Sequence, residues 1–366
     1  MKKLLFGITS LTLGGAERVL VDLANKLCEK YEITIFTIYA NGELEKQLSK
    51  KIKLKTLYNM QYNELTPIQK RIIPLKVLIN KKSIYKKYIC GNFDVEIAFL
   101  EGPITRLFGV KNQNVKKIAW IHNDISLVFG NGFKSKLKKY LDKKIYSKYE
   151  TLVFVSKDNM DKFINLYKDN TKKEVIYNYI DKEKVIEKSN DICDIDFDKN
   201  TINFVTVARL VPQKAIDRLI NVHAKLIHEN INHNFYVIGD GPEKEKLIKM
   251  VNDNKVENTF HLLGKKENPY PYIKNADYFC LLSNFEGYGM VLEEAKILGK
   301  PIIITNTAAR EAVINYKNSI IIENSEVKIY KNLKEVIQSG KKLYDNEKME
   351  YDNSDIIRKI EKLVGE

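Results

Sequence analysis

The sequence has few of the features that mark disulfide-rich, metal-binding or membrane-spanning proteins. Its four cysteines, Cys28, Cys90, Cys193 and Cys280, are far apart and form no C-x-x-C pair, so neither a disulfide framework nor a zinc site has support. They indicate a reducing compartment and thiols that fill core positions. Charged or polar residues interrupt every apolar run before it reaches the roughly 20 residues that span a bilayer. Repeats and low-complexity segments are also absent.

What is present fits a folded chain of two domains. Its 366 residues are 44% hydrophobic and 30% charged, a balance typical of soluble globular proteins. Lys2 and Lys3 followed by an apolar stretch imitate a secretory signal. We instead predict a first buried strand, Lys3 to Thr9, then a loop with Gly14 and Gly15 and a helix from Glu17.

Strand signals alternate with helical stretches along the chain, with a break near residue 180. The predicted strands are Lys3 to Thr9, Ile33 to Tyr39, Asp94 to Leu100, Lys116 to His122, Thr151 to Val155, Ile202 to Val207, Phe235 to Gly239, Phe260 to Leu263, Tyr278 to Leu282 and Ile302 to Thr305. This alternation predicts βαβ units and parallel sheets, whose ligands bind beyond the carboxyl ends of the strands. In the first half, Gly14-Gly15, Glu101-Gly102-Pro103 and His122-Asn123-Asp124 lie at such ends.

The segment from Ser283 to Ile304, SNFEGYGMVLEEAKILGKPIII, predicts a loop, a short helix that ends at Gly299, and a buried strand. A loop that enters a helix gathers unpaired amides and the positive end of the helix dipole, which favours an anion. Glu286 and Glu294, eight positions apart, could contact the two ends of a hydroxyl-rich phosphate ester. The alternative is an ordinary amphipathic helix after a surface turn.

A second candidate anion site follows the first strand of the second half, in VARLVPQKAIDRLI. Arg209 and Lys214 flank a turn that opens a helix. Arginine offers a rigid fork for paired oxygens and lysine a mobile charge, a combination suited to a diphosphate. The alternative is two solvated charges at a helix start.

Taken together, these motifs resemble the retaining GT-B glycosyltransferases of family 4. The segments that carry the resemblance are GGAERVLVDLA, AWIHND, VIYNYID, VARLVPQKAIDRLI and the E-x7-E motif followed by G-x-P. Three departures stand out. Tyr179 replaces the usual proline, Ala215 replaces the usual glycine, and TNTAARE lacks the usual glycines but keeps Glu311.

The resemblance implies an α/β chain with the GT-B fold, in which two Rossmann-like domains have parallel sheets that face each other across a cleft. Residues 1–180 would bind the acceptor, and residues 181–351 would bind the nucleotide-sugar donor. The C-terminal helix, within residues 352–366, would cross back to the first domain.

The resemblance also implies an activity, the transfer of a hexosyl or N-acetylhexosaminyl group from a UDP- or GDP-sugar to a glycan or lipid-linked acceptor during cell-envelope polysaccharide synthesis. No metal or other cofactor is expected. The implied site residues are Arg209, Lys214 and Gly15 for the diphosphate, Glu294 for the ribose, Gly264 near the base, Glu286, Gly287, Tyr288 and Gly289 for the donor sugar, and His122 beside the reacting centre.

Other readings of the sequence remain open. A sugar-nucleotide epimerase or a phosphorylase also uses two Rossmann-like domains. The pI of about 9.2 suggests a nucleic-acid-binding protein, although nucleic acid is not the partner that the motifs predict. Asp194, Asp196 and Asp198 have the spacing with which unrelated glycosyltransferases hold a divalent metal; an acidic surface loop is the commoner cause of such spacing.

The basic residues are concentrated before the break. Residues 1–180 contain 33 basic and 17 acidic residues, net +16, against 28 and 30, net −2, in the remainder. Within FKSKLKKYLDKKIYSK, four apolar residues repeat at helical spacing among lysines: Phe133, Leu137, Leu141 and Ile145. This pattern predicts either a core-facing helix or a helix on an anionic membrane. The second reading implies a cytoplasmic protein, peripheral on the inner face of the membrane.

Overall fold

The computed structural model describes residues 1–112, 114–128, 133–340 and 352–365. The chain divides into two units. Unit 1 consists of Met1–Ile180 with Asn353–Glu366, and unit 2 consists of Asp181–Asp352. Each is described by itself.

Unit 1 is built around one parallel sheet of alternating strands and helices. Its elements are β1 (Lys3–Ile8), α1 (Gly15–Leu27), β2 (Glu32–Tyr39), β3 (Lys53–Tyr58), α2 (Pro67–Ile79), α3 (Lys81–Ile84), β4 (Val95–Ala98), α4 (Pro103–Phe108), β5 (Lys116–Ile121), α5 (Phe133–Tyr146), β6 (Thr151–Phe154), α6 (Lys157–Tyr167) and β7 (Lys172–Val175). The strand order in the sheet is β3-β2-β1-β4-β5-β6-β7.

Unit 2 repeats this design with a second parallel sheet. Its elements are α7 (Lys182–Lys188), β8 (Ile202–Val207), α8 (Ile216–His228), β9 (His233–Ile238), α9 (Lys244–Asp253), β10 (Phe260–Gly264), α10 (Tyr270–Asn275), β11 (Tyr278–Leu281), α11 (Met290–Ile297), β12 (Ile302–Thr305), β13 (Ser319–Ile322) and α12 (Glu326–Ser339). The strand order is β10-β9-β8-β11-β12-β13.

The last helix, α13 (Ser354–Val364), belongs to unit 1. It buries Ile360, Leu363 and Val364. The carboxylate of its Glu361 pairs with Lys30 Nζ at 3.0 Å. Helix α13 thus packs with the same unit as β1.

In both sheets the strand order reverses direction beside the first strand of the unit. β1 pairs with β2 on one side and β4 on the other, and β8 pairs with β9 and β11. The loops that leave the two middle strands at their carboxyl ends therefore diverge. Such a switch point opens a crevice in which open α/β sheets bind ligands.

Most of the strands that pattern reasoning finds are buried on both faces, although β10, an edge strand of the second sheet, is only half-buried. β1, β2 and β12 are almost fully buried apolar runs, as parallel sheets covered by helices require. The pattern does not predict the edge strands β3, β7 and β13. At least half of the residues in β3 (KLKTLY) and β7 (KKEV), the two edges of the first sheet, are lysine or other polar residues. Lysine on an edge strand discourages pairing with another chain and also hides the strand from a hydrophobicity search.

The first sheet has a charge cluster at its centre. Glu96 and Lys117 are register partners on β4 and β5, and Lys117 Nζ contacts Glu96 Oε2 at 2.5 Å. Tyr85 donates its hydroxyl to Glu96 Oε1 at 2.6 Å, and Lys117 also donates to the carbonyl of Phe108 at 2.8 Å. Because every charge here has partners, the cluster is tolerated, and removal of one member would leave a buried charge uncompensated.

Helix α5 has both exposed and buried apolar side chains. Leu141 is exposed, whereas Ile145 packs against the core of unit 1. The side chains of Phe133, Lys134 and Leu137 lie outside the described residues, so the predicted apolar stripe is seen only in part. None of the helices in the described ranges is long and apolar enough to cross a bilayer.

A pair of buried histidines joins α8 to β9 in unit 2. His233 Nδ1 donates to the carbonyl of Ile231 at 2.8 Å, because a carbonyl can only accept. His233 Nε2 must then accept from His223 Nδ1, which lies 2.8 Å away. A second proton on His233 would place two N–H groups against each other. Burial lowers the pKa of His223 to about 2 and that of His233 to about 4.

We expect the free energy of unfolding to fall as the pH drops below about 6.5, the pKa of histidine in the unfolded chain. The pKa of both rings is lower in the folded state than the unfolded value of about 6.5, so their contribution is complete above pH 6.5. It is lost as the pH falls from there to the folded pKa, about 4 for His233 and about 2 for His223. Each ring should cost about 2 kcal/mol of unfolding free energy at pH 5. Denaturant unfolding at about pH 7.5 and pH 5 measures this difference.

The control is the double substitution His223→Gln with His233→Gln. This variant should show a smaller loss between the same two pH values, by about 4 kcal/mol. An identical pH dependence in the parent and the double variant would contradict the assignment.

Candidate active site

The candidate site of unit 2 lies at the switch point between β8 and β11. The loop after β8 carries Arg209 and Lys214, and the loop after β11 carries Glu286. Since β8 and β11 are adjacent and parallel, both loops leave the same edge of the sheet. The sequence motifs that predict a diphosphate site and a sugar site are thus brought together, although 72 residues separate Lys214 from Glu286.

An ion pair joins the two loops. Lys214 Nζ lies 2.5 Å from Glu286 Oε1, and the side chains are 19% and 5% exposed. The hydroxyl of Ser283 donates to the same carboxylate oxygen at 2.5 Å. Ser283 is itself held by Thr305, whose hydroxyl donates to the Ser283 carbonyl at 2.7 Å. The Glu286 carboxylate is therefore fixed from two sides.

Backbone and amide contacts fasten the same loops independently of charge. The amide of Asn284 donates to the carbonyl of Gln213 at 2.9 Å, and Gln213 Nε2 donates to the carbonyl of Phe285 at 3.0 Å. Asn284 Nδ2 donates to the carbonyl of Pro212 at 3.1 Å. These contacts align the two loops independently of the ion pair.

Arg209 differs from Lys214 in having no partner among the described side chains. Its side chain is exposed, and the neighbouring backbone is held because Leu210 N donates to the carbonyl of Asp240 at 3.0 Å. A guanidinium held at a switch point without a counter-charge is suited to bind a bidentate anion.

The segment Glu286 to Gly289 leads directly into α11. Gly289 precedes the helix with φ of 72°, which favours glycine, and among the described residues no side chain caps the first turn. The hydroxyl of buried Tyr288 donates to Glu293 Oε1 at 2.7 Å, and Lys296 pairs with Glu293 at 2.7 Å. The segment is thus anchored on α11, with the uncapped amides and half-exposed Gly287 beside it.

Glu294, predicted to bind ribose, is buried on α11. Its Oε1 accepts from the hydroxyl of Tyr270 at 3.0 Å. Tyr270 lies on α10, 24 residues earlier, and no motif pointed to it. The hydrogen bond from Tyr270 fixes one carboxylate oxygen of Glu294 and thereby sets the position of the other oxygen.

The turns after β8, β9 and β10 approach one another too closely for side chains. A β-carbon on Gly239 would lie 1.9 Å from the carbonyl oxygen of Ala208, and one on Gly241 would lie 2.3 Å from that of Leu210. Gly264 ends β10 with φ of 70°, and its carbonyl accepts from Gly239 N at 2.9 Å. Backbone atoms therefore form this side of the site.

In unit 1, His122 follows β5 and packs its ring against Phe99, with 4.8 Å between ring centroids. Burial lowers its pKa to about 3, so the imidazole is neutral at pH 7. Its Nε2 is buried and has no hydrogen-bond partner among the described atoms. Glu101, which follows β4, accepts from the amides of His122 and Asn123 at 2.5 and 2.6 Å, and burial raises the pKa of Glu101.

The glycine loop after β1 begins α1 at Gly15, and no described side chain caps it. Glu17 lies in the first turn, where a β-carbon on Gly14 would be 2.1 Å from Glu17 Oε2. Burial raises the pKa of Glu17. Gly15 and Glu101 thus follow β1 and β4, the two strands at the switch point of the first sheet.

The acidic segment near residue 194 makes side-chain contacts within unit 2. Asp194 pairs with Lys266 Nζ at 2.5 Å and also accepts from the hydroxyl of Tyr272. Across the described ranges, no group of three or more His, Cys, Asp or Glu side chains is placed to share a metal ion.

Two family models together match almost the whole chain. The model described as Glycosyltransferase Family 4 matches residues 13–184, and the model described as Glycosyl transferases group 1 matches residues 187–351. The chain belongs to the family 4 glycosyltransferases. This confirms the family predicted from the motifs.

Curated relatives of this glycosyltransferase span most of its length. A Campylobacter jejuni protein, N-acetylgalactosamine-N,N'-diacetylbacillosaminyl-diphospho-undecaprenol 4-alpha-N-acetylgalactosaminyltransferase, is 29% identical over 94% of this chain and 93% of its own. A Staphylococcus aureus poly(ribitol-phosphate) alpha-N-acetylglucosaminyltransferase is 24% identical over 69% of this chain and 52% of its own.

Solved structures show the fold. Anabaena HepE in complex with UDP and glucose matches with a TM-score of 0.75 and 16% identity, over 100% of this chain and 99% of HepE. A Staphylococcus aureus TarM mutant in complex with UDP matches with a TM-score of 0.71 and 15% identity, over 100% of each chain. The predicted GT-B architecture, with two parallel-sheet Rossmann-like domains, is confirmed.

The sequence motifs do not identify some residues of the candidate site, because these residues contact the motif residues only in the folded chain. Ser283 was only the start of a motif, yet it contacts Glu286, while Thr305 and Tyr270 support the site from other elements. Such residues have no fixed spacing from the motif that they support. A search for hydroxyl residues at the carboxyl ends of β11 and β12 would have found Ser283 and Thr305.

The departure at Ala215 gives a test of backbone strain in this glycosyltransferase. Ala215 is buried at the start of α8 with φ of 51° and ψ of 39°, a left-handed conformation that costs a residue with a β-carbon about 1–2 kcal/mol. Relief of this strain offsets the greater freedom of glycine in the unfolded chain, so Ala215→Gly should be at least as stable as the parent.

The matched control is Ala224→Gly, in the interior of the same helix. Because Ala224 has helical geometry, this change should lose about 1 kcal/mol in denaturant unfolding. Equal destabilisation by both substitutions would show that Ala215 is not strained.

Proposed function

We propose that this glycosyltransferase is a retaining enzyme that transfers a sugar from a nucleoside-diphosphate sugar, without a metal ion, to a glycan or lipid-linked acceptor. The observation that carries the proposal is the ion pair between Lys214 and Glu286 at the switch point of unit 2, beside Arg209 and the uncapped start of α11. Cations and an oriented carboxylate there match the two ends of a sugar diphosphate.

The chemistry requires stabilisation of the departing diphosphate. As the bond to the anomeric carbon stretches, negative charge grows on the leaving oxygen, and preorganised cations lower the barrier most effectively. Glu286 neutralises Lys214 in their ion pair. A diphosphate would contact both Lys214 and Arg209. Glu286 and the amides of Gly287 to Gly289 would then be available for the sugar hydroxyls.

The nucleoside would extend toward Glu294 and Gly264. Glu294, oriented by Tyr270, would accept hydrogen bonds from the ribose hydroxyls, and the backbone beyond Gly264 would contact the base. HepE and TarM were each solved with UDP, which supports a uridine donor.

His122 is proposed to contact the substrate from unit 1. Its neutral ring, with an unpartnered Nε2, can exchange a hydrogen bond with a hydroxyl without adding charge. The leaving phosphate itself would then take the proton of the acceptor hydroxyl.

The acceptor is proposed to be a cell-envelope glycan or its lipid-linked precursor. The Campylobacter jejuni relative acts on a diphospho-undecaprenol-linked sugar and the Staphylococcus aureus relative on poly(ribitol-phosphate). Both transfer an N-acetylhexosamine, so a UDP-N-acetylhexosamine is the donor to try first. The net +16 of residues 1–180 suits an anionic acceptor.

The experiment is a thermal-shift panel of UDP- and GDP-sugars, followed by NMR analysis of the product formed with an acceptor alcohol. The proposal expects one donor to stabilise the protein and the new glycosidic bond to keep the anomeric configuration of the donor. An inverted product would overturn the retaining mechanism. Epimerised donor without any acceptor, or sugar phosphate formed from inorganic phosphate, would indicate an epimerase or a phosphorylase.

Arg209→Ala and Lys214→Ala should each reduce donor turnover by about 100-fold, because one charge-assisted contact to developing charge is worth a few kcal/mol. Initial rates at saturating donor measure the effect. The control is Lys246→Ala, since Lys246 is an exposed lysine of unit 2 paired with Asp217 and Glu243. Unchanged rates in both site variants would refute the assignment.

Turnover should also persist in excess EDTA, because two cations and a helix start replace the metal. Asp194→Asn should leave the rate unchanged, since Asp194 is engaged by Lys266 and Tyr272. Loss of turnover in EDTA that Mg²⁺ restores, together with inactivity of Asp194→Asn, would favour a metal site at the acidic segment.

A further inference from the structure

Helix α2 of unit 1 exposes a row of aliphatic side chains to solvent. The exposed fractions range from 42% to 80%. The residues of this aliphatic stripe are Ile68, Ile72, Leu75 and Ile79. On the same helix, Ile73 and Val77 are buried in the core. The helix is thus apolar on two sides, and only one of them is covered by the protein.

Helical geometry places basic residues along both edges of the stripe. At about 100° per residue, the four aliphatic positions fall within a sector about 60° wide. Arg71 and Lys76 project on either side of that sector, and Ile73 and Val77 point away from it. Both basic side chains are exposed.

The helix does not need a partner in order to form. Thr66 caps its N terminus, because Gln69 N donates to Thr66 Oγ1 at 3.2 Å and Thr66 N donates to Gln69 Oε1 at 2.8 Å. Its buried face is anchored by Ile73 and Val77. The stripe is therefore a preformed surface.

We propose that the aliphatic stripe docks unit 1 on an anionic lipid bilayer. An interfacial helix buries its apolar face at the boundary of headgroups and acyl chains, while basic residues along its edges contact lipid phosphates. The surrounding sequence fits this partner, since residues 51–90 contain ten basic residues and one acidic residue, Glu64. Exposed Lys82, Lys86 and Lys87 follow α2 directly.

The basic residues beside the aliphatic stripe determine which partner can cover it. A second copy of the chain, related by twofold symmetry, would bring Arg71 and Lys76 against the same residues of its partner, which is unfavourable. A bilayer with anionic lipid offers a flat apolar interior and a continuous negative surface. The described part of α5 is a weaker candidate, because Leu141 is exposed there but Ile145 packs into the core.

The first experiment is co-sedimentation of the full chain with vesicles. Binding should require anionic lipid and weaken between about 0.1 M and 1 M salt. The quadruple substitution Ile68→Gln, Ile72→Gln, Leu75→Gln and Ile79→Gln should reduce binding at least about tenfold, because it removes the apolar contact. Its thermal unfolding midpoint should stay close to that of the parent, since all four side chains are exposed.

The matched control makes four exposed aliphatic residues of unit 2 polar. It combines Ile186→Gln, Ile192→Gln, Ile248→Gln and Val327→Gln, and should bind vesicles as the parent does. Reversal of the flanking charges, Arg71→Glu with Lys76→Glu, should reduce binding and its salt dependence.

A second readout does not depend on the quadruple variant. Trp120 is the only tryptophan of the chain and is 1% exposed, so its emission should not respond to lipid. In the variant Ile79→Trp, the added indole should shift its emission to shorter wavelength on anionic vesicles but not on neutral ones.

Three results would overturn the proposal. One is unchanged binding by the quadruple variant together with an unshifted Ile79→Trp. Another is equal binding to neutral vesicles, and a third is concentration-dependent self-association that the quadruple substitution abolishes. Loss of binding only on Lys138→Glu with Lys139→Glu would place the contact on α5 instead. None of these results bears on donor turnover, so the proposed chemistry is tested separately.

Discussion

The contact between Lys214 and Glu286 is the interaction on which the candidate site of unit 2 depends. It joins loops from two adjacent strands, and each charge compensates the other. A lone lysine or a lone buried carboxylate at this position would be costly, because little water reaches it. As a pair they compensate each other, because each charge lies within hydrogen-bond distance of the other. The ion pair therefore lets the folded protein tolerate both charges at the switch point.

The parallel sheet explains why these groups meet at all. Every strand of a parallel sheet ends at the same edge, and a reversal in strand order separates the loops of two neighbouring strands. Unit 2 places Arg209 and Glu286 at such a reversal, and unit 1 places Gly15 and Glu101 at its own. The repeated topology thus places polar candidate residues of each unit at the edge where its central strands end.

The sequence was sufficient for the features that recur at fixed spacing. The apolar runs of β1 and β12, the glycines around α11 and the stop at Gly299 all follow from local chemistry. Contacts between residues on different strands or helices have no such fixed spacing in the sequence. Glu96 and Lys117 each interrupt an apolar run, and only the pairing of β4 with β5 reveals that they compensate each other. The edge strands β3 and β7 were missed for a related reason, because their lysines mask the alternation that defines a strand.

The aliphatic stripe of α2 shows the opposite limitation. Ile68, Ile72, Leu75 and Ile79 read in sequence as the core-facing side of an amphipathic helix, since apolar residues at helical spacing usually point inward. Ile73 and Val77 already fill that role. Two apolar faces on one surface helix mean that periodicity cannot say which face meets the protein. Only the folded chain assigns the second face to the outside, where the dense positive charge of residues 51–90 limits the partners that can cover it.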